Sequence, residues 1–116
     1  MDQFVESSGN VFADLGLPNP EERLAKAQLV RLIRRRIEEL GLTQVEAAKR
    51  MGLKQSTVSR VVRGMVEGLS LYRLIRCLNR LGYDVRIQVE PAVGERGEVS
   101  VASEQPGATE EYAKAA

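Results

Sequence analysis

The hydrophobic pattern first becomes regular after residue 20, where apolar residues recur every three or four positions. This spacing places one apolar stripe on a helix and leaves arginine and glutamate for its other faces. The stripe consists of Leu29, Leu32, Ile33, Ile37 and Leu40. Asn19 before Pro20 is suited to cap the helix, and Gly41 is suited to stop it. We therefore predict a helix over residues 20–40.

Two shorter helices are predicted next. Thr43 followed by Glu46 forms a capping box, in which the hydroxyl accepts from the third helical N–H and the carboxylate accepts from the cap N–H. This helix is expected to run to Met51 and to end at Gly52. A further helix is expected over about residues 55–63. The pattern thus predicts two short helices joined by a glycine turn.

A fourth amphipathic helix is predicted after Ser70, a residue type that caps helices well. Its apolar stripe stops before Gly82 and consists of Leu71, Leu74, Ile75, Leu78 and Leu81. Cys77 lies beside the stripe, and we expect it to be a small buried hydrophobe rather than a redox centre. The predicted fold class is all-α, with about four helices.

After Gly82 the pattern changes from helical to alternating. Val85, Ile87 and Val89 alternate with polar residues up to Pro91, which is typical of a half-buried strand. A lone strand leaves its backbone N–H and C=O groups unpaired, so its expected partner is the same strand of a second copy. We therefore predict that residues 85–89 form the dimerisation contact.

The two ends of the chain have weaker patterns. Residues 1–20 mix isolated apolar side chains with Ser, Gly, Asn and Asp, and we predict an N-terminal arm there. Residues 92–116 are rich in Ala, Gly, Glu and Ser, and we predict a disordered tail there. Residues 21–91 are left as the predicted folded domain.

The amino-acid composition argues against catalytic, disulfide and metal-binding chemistry. The 116 residues include no histidine and one cysteine, so the commonest general base is missing and no intramolecular disulfide can form. Adjacent carboxylates such as Glu21 and Glu22 do not face each other on a helix and so do not share a site. We expect no enzymatic activity, no metal and no cofactor. A lone thiol, no signal-peptide pattern and no bilayer-length apolar run predict a cytoplasmic protein without membrane contact.

A net charge of +1 hides a strong asymmetry along the chain. Residues 21–86 hold 15 of the 17 Lys and Arg but only 7 of the 16 Asp and Glu, a net charge of +8, and the remainder is −7. A basic middle with acidic ends favours a domain that binds a polyanion. Charge alone equally allows side chains that only coat the helices.

The spacing within residues 43–64 meets the requirements of a helix-turn-helix. Ala48 is the small residue where the two helices nearly touch, Gly52 allows a left-handed turn, and Val58 packs the second helix on the first. The other inward positions, Ala47, Met51, Leu53 and Val61, are apolar as well. The alternative is an ordinary helical hairpin with a polar face.

The outward face of the second helix of this pair distinguishes a DNA-binding helix-turn-helix from an ordinary helical hairpin. Its residues are Lys54, Gln55, Ser56, Ser59, Arg60 and Arg63, with Thr57 on the flank, and none is acidic. Gln and Arg can bond adenine and guanine bidentately, and Ser and Thr bond base edges or phosphates. Because an α-helix fits the major groove, we predict that this face binds double-stranded DNA.

Residues 43–64, TQVEAAKRMGLKQSTVSRVVRG, resemble the Cro/phage-repressor (XRE-type) class, whose domain is lambda-repressor-like. The resemblance implies that Gln44 bonds a phosphate and braces Gln55, which reads a base. The stretch from about Asn10 to Val89 resembles the HigA-type antitoxins, notably in LGYDVRI at residues 81–87. This resemblance implies a homodimeric repressor of its own operator, with a small basic ribonuclease-type toxin as partner.

Free-standing or prophage-derived regulators share this domain and are the alternative function. A third is a protein-interaction module that uses the apolar residues of the arm. In the arm, acidic charge is combined with Phe4, Phe12, Leu15 and Leu17. This combination favours a segment that folds on a basic protein partner. Packing of the last three on the first helix of the same chain is the alternative.

Overall fold

In the computed structural model, which describes residues 10–103, the secondary structure is entirely helical. Five helices follow in order: α1 (Val11–Asp14), α2 (Pro20–Leu40), α3 (Gln44–Met51), α4 (Gln55–Val62) and α5 (Leu71–Arg80). Helix α2 is central and packs against α1, α4 and α5, while α3 packs against α4 and α5. The predicted all-α class is confirmed. No helix within residues 10–103 is both long enough and apolar enough to cross a membrane.

The core lies where the apolar stripes of α2, α3, α4 and α5 meet. Its largest fully buried side chains are Ile33, Val58, Val61, Leu74, Leu78 and Leu81. Cys77 is 4% exposed within the same cluster, as predicted. Burial raises the pKa of its thiol, because the thiolate would lose its hydration there.

The predicted end signals of α3 and α5 are confirmed. The backbone N–H of Glu46 donates to Oγ1 of Thr43 at 3.1 Å, and the N–H of Thr43 donates to Oε1 of Glu46 at 2.8 Å. At α5, the N–H of Arg73 donates to Oγ of Ser70 at 3.1 Å. These local bonds satisfy N–H groups that the helix itself leaves without partners.

The predicted side-chain cap of α2 is wrong. Asn19 occupies the N-cap position, but its side chain makes no capping hydrogen bond. Its backbone is left-handed, with φ of 50°, whereas a capping side chain goes with an extended backbone. The first turn is held by the backbone instead, since the N–H of Arg23 donates to the carbonyl of Asn19 at 3.0 Å.

Helix α1 was not predicted, because four residues are too few to show a period. Oδ1 of Asn10 accepts from the N–H groups of Phe12 and Ala13 at 2.9 and 3.3 Å. The amide of Asn10 also donates to the carbonyl of Pro20 at 3.0 Å. Asn10 therefore both caps α1 and fastens it to the start of α2.

The strand predicted over residues 85–89 is absent from the described part of the chain. Val85 packs against the core, but Ile87 and Val89 are 80% and 90% exposed. A strand needs a neighbour for its backbone groups, and residues 84–103 make no backbone hydrogen bond in this single chain. The alternation shows which side chains share a face, but it cannot supply the neighbour.

The chain returns to the core near the end of its described part. Val101 is half-buried and packs against the core cluster, a contact that the sequence pattern did not indicate. Between Val85 and Val101 every residue is exposed. The rest of the predicted tail, residues 104–116, lies outside the described residues.

Candidate nucleic-acid interface

Helices α3 and α4 are joined by a tight glycine turn. Gly52 has φ of 70°, which costs other residues roughly 1–2 kcal/mol. The N–H groups of Gly52 and Leu53 both donate to the carbonyl of Ala48, the second at 3.0 Å. Ala48 and Val58 belong to the same buried cluster. The turn, the small residue and the packing residue therefore stand where the spacing predicted them.

Helix α4 has one buried apolar face and one exposed polar face. Val58 and Val61 are fully buried and fix its orientation. The exposed side chains are Lys54, Gln55, Ser56, Arg60 and Arg63, while Thr57 and Ser59 are half-buried. No Asp or Glu occurs within residues 53–64. The outward face therefore carries positive charge that no residue of α4 neutralises.

The last turn of α4 orients one of these cations. Arg63 is the C-cap residue, and its Nε donates to the carbonyl of Ser59 at 3.1 Å. The N–H of Met65 donates to the carbonyl of Arg60 at 2.9 Å and closes the turn. Arg63 is exposed, and its remaining guanidinium N–H groups make no hydrogen bond within residues 10–103, so they are available to an anion.

The two glutamines singled out by the resemblance lie at helix starts. Gln44 is the first residue of α3 and Gln55 the first residue of α4, and both are exposed. No hydrogen bond links them in the described chain, so the implied bracing contact is not formed here. Both amides are available to a ligand.

The other predicted site residues fall into two groups. In the predicted dimer contact, Val85 packs against the core, whereas Ile87 and Val89 are exposed. In the predicted partner-binding arm, Phe12 is half-buried, and Leu15 and Leu17 are 69% and 37% exposed. Phe4 lies outside the described residues.

A row of basic side chains beside the motif was not among the predicted site residues. Arg73, Arg76 and Arg80 on α5 line a cleft together with Tyr72 and the turn residues 51–53. Their spacing of three and four residues was visible in the sequence and places them on one helix face. Periodicity could not show that this face meets the turn.

Known proteins share this architecture. Residues 11–90 match the family model described as a helix-turn-helix domain. The chain is similar to a solved structure described as “Putative XRE Family Transcriptional Regulator”, with a TM-score of 0.69 and 34% sequence identity. That similarity covers 74% of this chain and 99% of the other. None of the curated proteins matches the chain.

Proposed function

Because this chain belongs to the helix-turn-helix family of XRE-type transcriptional regulators, we propose that it is a sequence-specific repressor that binds operator DNA through α3 and α4. Membership of this family by itself implies that the chain binds DNA. The finer assignment is supported by the exposed, acid-free face of α4, which offers hydrogen-bonding groups for bases and positive charge for phosphates.

In this proposal the N-terminal part of α4 enters the major groove. Gln55 and Arg60 read base edges through bidentate hydrogen bonds to adenine and guanine. Gln44 and Arg63 bond phosphates at the borders of the groove. The surface is completed by Lys54, Ser56, Thr57 and Ser59. Repression follows when the occupied operator overlaps the promoter.

Fluorescence anisotropy with the chain's own promoter fragment and a scrambled fragment tests these roles. Gln55→Ala and Arg60→Ala should each weaken operator binding by roughly 1–3 kcal/mol and leave non-specific binding nearly unchanged. Arg63→Ala should weaken both fragments alike and flatten the salt dependence. Equal operator affinity in the wild type and the Gln55→Ala, Arg60→Ala double variant would contradict the assignment.

The operator-bound form in this proposal is a homodimer paired through residues 85–89. Two observations support it: apolar side chains that are 80% and 90% exposed at Ile87 and Val89, and backbone groups without hydrogen bonds. Pairing with a second copy would satisfy both. A two-fold dimer would then read two half-sites roughly 34 Å apart.

Light scattering on matched variants tests the dimer. Ile87→Asp with Val89→Asp places charge on the exposed apolar face and should yield monomers with weak operator binding. The control, Arg86→Ala with Gln88→Ala, changes the intervening residues and should leave the dimer intact. A dimer that survives the aspartate pair would move the interface to the helices.

A second candidate function is neutralisation of a small basic ribonuclease-type toxin. The observation that favours it is the exposure of Leu15 and Leu17 beside Asp14, in a stretch, residues 10–20, without Lys or Arg. Exposed apolar anchors with acidic charge suit a basic protein surface. Phe12, which is half-buried, is assigned to packing within the chain.

Calorimetry with the product of the adjacent gene tests this second function. Leu15→Asp with Leu17→Asp should abolish toxin binding and spare operator binding, while Val93→Asp, at a fully exposed position, should leave both unchanged. Unchanged toxin affinity in the double variant would move the contact to the helical body. A genome with no toxin gene beside this one would favour a free-standing regulator.

A further inference from the structure

We propose that Arg73, Arg76 and Arg80, here called the arginine row, form a second phosphate-binding surface that holds the DNA backbone beside the groove read by α4. This inference rests on the proposed operator binding and adds a contact outside the helix-turn-helix.

The arginine row faces the turn of the motif. The three side chains and exposed Tyr72 line a cleft of about 210 Å³ whose other wall is the turn, residues 51–53. The residue that follows this wall is Lys54, the N-cap of α4. The cleft is therefore next to the end of α4 that enters the groove in the proposed complex.

A missing side chain in the turn makes room for one of the arginines. Nη1 of Arg80 lies 2.6 Å from the position that a Cβ would take at Gly52. A side chain at Gly52 would therefore displace this guanidinium from its place over the turn. The glycine thus serves both the left-handed turn and the close approach of Arg80.

Within the part of the chain that the structure describes, residues 10–103, no ion pair neutralises the positive charge of the cleft. Within residues 10–103 the ion pairs involve Lys26, Arg35 and Arg36, and none involves the arginine row. Arg76 donates to Oδ1 of Asn79 at 3.1 Å, which orients it without removing charge. Cys77, also in the cleft, has its thiol pKa raised by burial and adds no negative charge.

The size and chemistry of the row suit a nucleic-acid strand. Arg80 follows Arg73 by seven positions, which corresponds to about 10 Å along a helix. Successive nucleotides of one DNA strand advance by roughly 3.4 Å along the duplex, so the row spans about three nucleotide steps and each of its three guanidinium groups can face one phosphate. Guanidinium groups bind phosphate oxygens bidentately, and the Tyr72 hydroxyl can donate to the same backbone.

The salt dependence of operator binding by the full chain tests the inference. In the triple variant Arg73→Gln, Arg76→Gln, Arg80→Gln, the plot of log affinity against log salt should become shallower by about 0.9 for each phosphate that the protein no longer neutralises. The ratio of operator affinity to scrambled-fragment affinity should be kept, since phosphate contacts carry no sequence information. Replacing all three by lysine should restore most of the slope.

Single variants control for net charge and for folding. Arg73→Gln and Arg96→Gln each remove one positive charge, but Arg96 lies outside the cleft, so only the first should change the slope. An unchanged slope in a triple variant that keeps the wild-type circular dichroism spectrum would overturn the inference. If the triple variant fails to fold, the comparison of Arg73→Gln with Arg96→Gln decides.

Failure of this inference is distinguishable from failure of the proposed function. A wild type that does not prefer its operator over the scrambled fragment would refute sequence-specific binding itself. A variant with normal specificity and a normal slope that has lost an acidic protein partner would assign the row to protein binding and reject the DNA contact.

Discussion

The helical body, residues 20–83, and the C-terminal segment, residues 84–103, carry similar apolar side chains with opposite outcomes. Leu74 and Leu81 in the body are fully buried, whereas Ile87 and Val89 in the segment are 80% and 90% exposed. A helix satisfies its backbone hydrogen bonds internally, so only its apolar stripe needs a neighbour. A strand needs a neighbour for its backbone as well. A single chain can therefore satisfy the backbone of an amphipathic helix, but it cannot satisfy the backbone of a lone strand.

The largest expected effect is the loss of a core side chain from the body. Leu74→Ala removes a fully buried side chain and should lower the free energy of unfolding by about 2–5 kcal/mol in urea denaturation. Ile87→Ala is the matched control in the segment and should change the stability of the monomer little. A comparable loss at Ile87 would show that its side chain packs against the core in the monomer.

Alanine substitutions at the glycines that end α3 and α4 test whether the contacts around these turns in the helical body can rearrange. Gly52 and Gly64 have φ of 70° and 81°, so alanine at either should cost roughly 1–2 kcal/mol in thermal unfolding. A Cβ at Gly64 meets nothing within 4 Å, whereas one at Gly52 meets the guanidinium end of Arg80. The losses should be similar if Arg80 swings aside. A much larger loss at Gly52 would show that Arg80 is fixed.

The N-caps of α3 and α2 allow a further comparison, between a helix start with a side-chain cap and one without. Thr43→Ala removes one half of the capping box and should cost about 0.5–2 kcal/mol, measured by urea denaturation. Asn19→Gly should be close to neutral, because the Asn19 side chain makes no capping bond and glycine tolerates its left-handed backbone. If both variants lose the same stability, Asn19 has a role that its hydrogen bonds do not reveal.

The smallest expected effect is a pH dependence within the core. Burial raises the pKa of the Cys77 thiol above its ordinary value of 9.0, so the folded state favours the protonated thiol. This contribution to stability is present below pH 9.0 and lost as the pH rises through the folded-state pKa. Unfolding of wild type and Cys77→Ala, compared near neutral pH and above 9.0, should show a stability difference that shrinks at high pH. A constant difference would contradict the shift.

Much of the helical body could be predicted from the sequence because its signals are local. The capping box spans four residues, the glycine stop follows its helix directly, and an apolar stripe repeats within a few turns. These signals located α2, α3, α4 and α5 and the turn at Gly52. The acid-free face of α4 followed from the same periodicity, since Val58 and Val61 had to point inward.

Contacts between distant parts of the chain were decided only by the tertiary structure. The bond from Asn10 to Pro20, the return of Val101 to the core and the meeting of the arginine row with Gly52 depend on how helices and segments cross. Periodicity tells which residues share a face, but not which face of another element it meets. For the same reason the alternation at residues 85–89 was readable in the sequence, while the presence of a pairing strand was not.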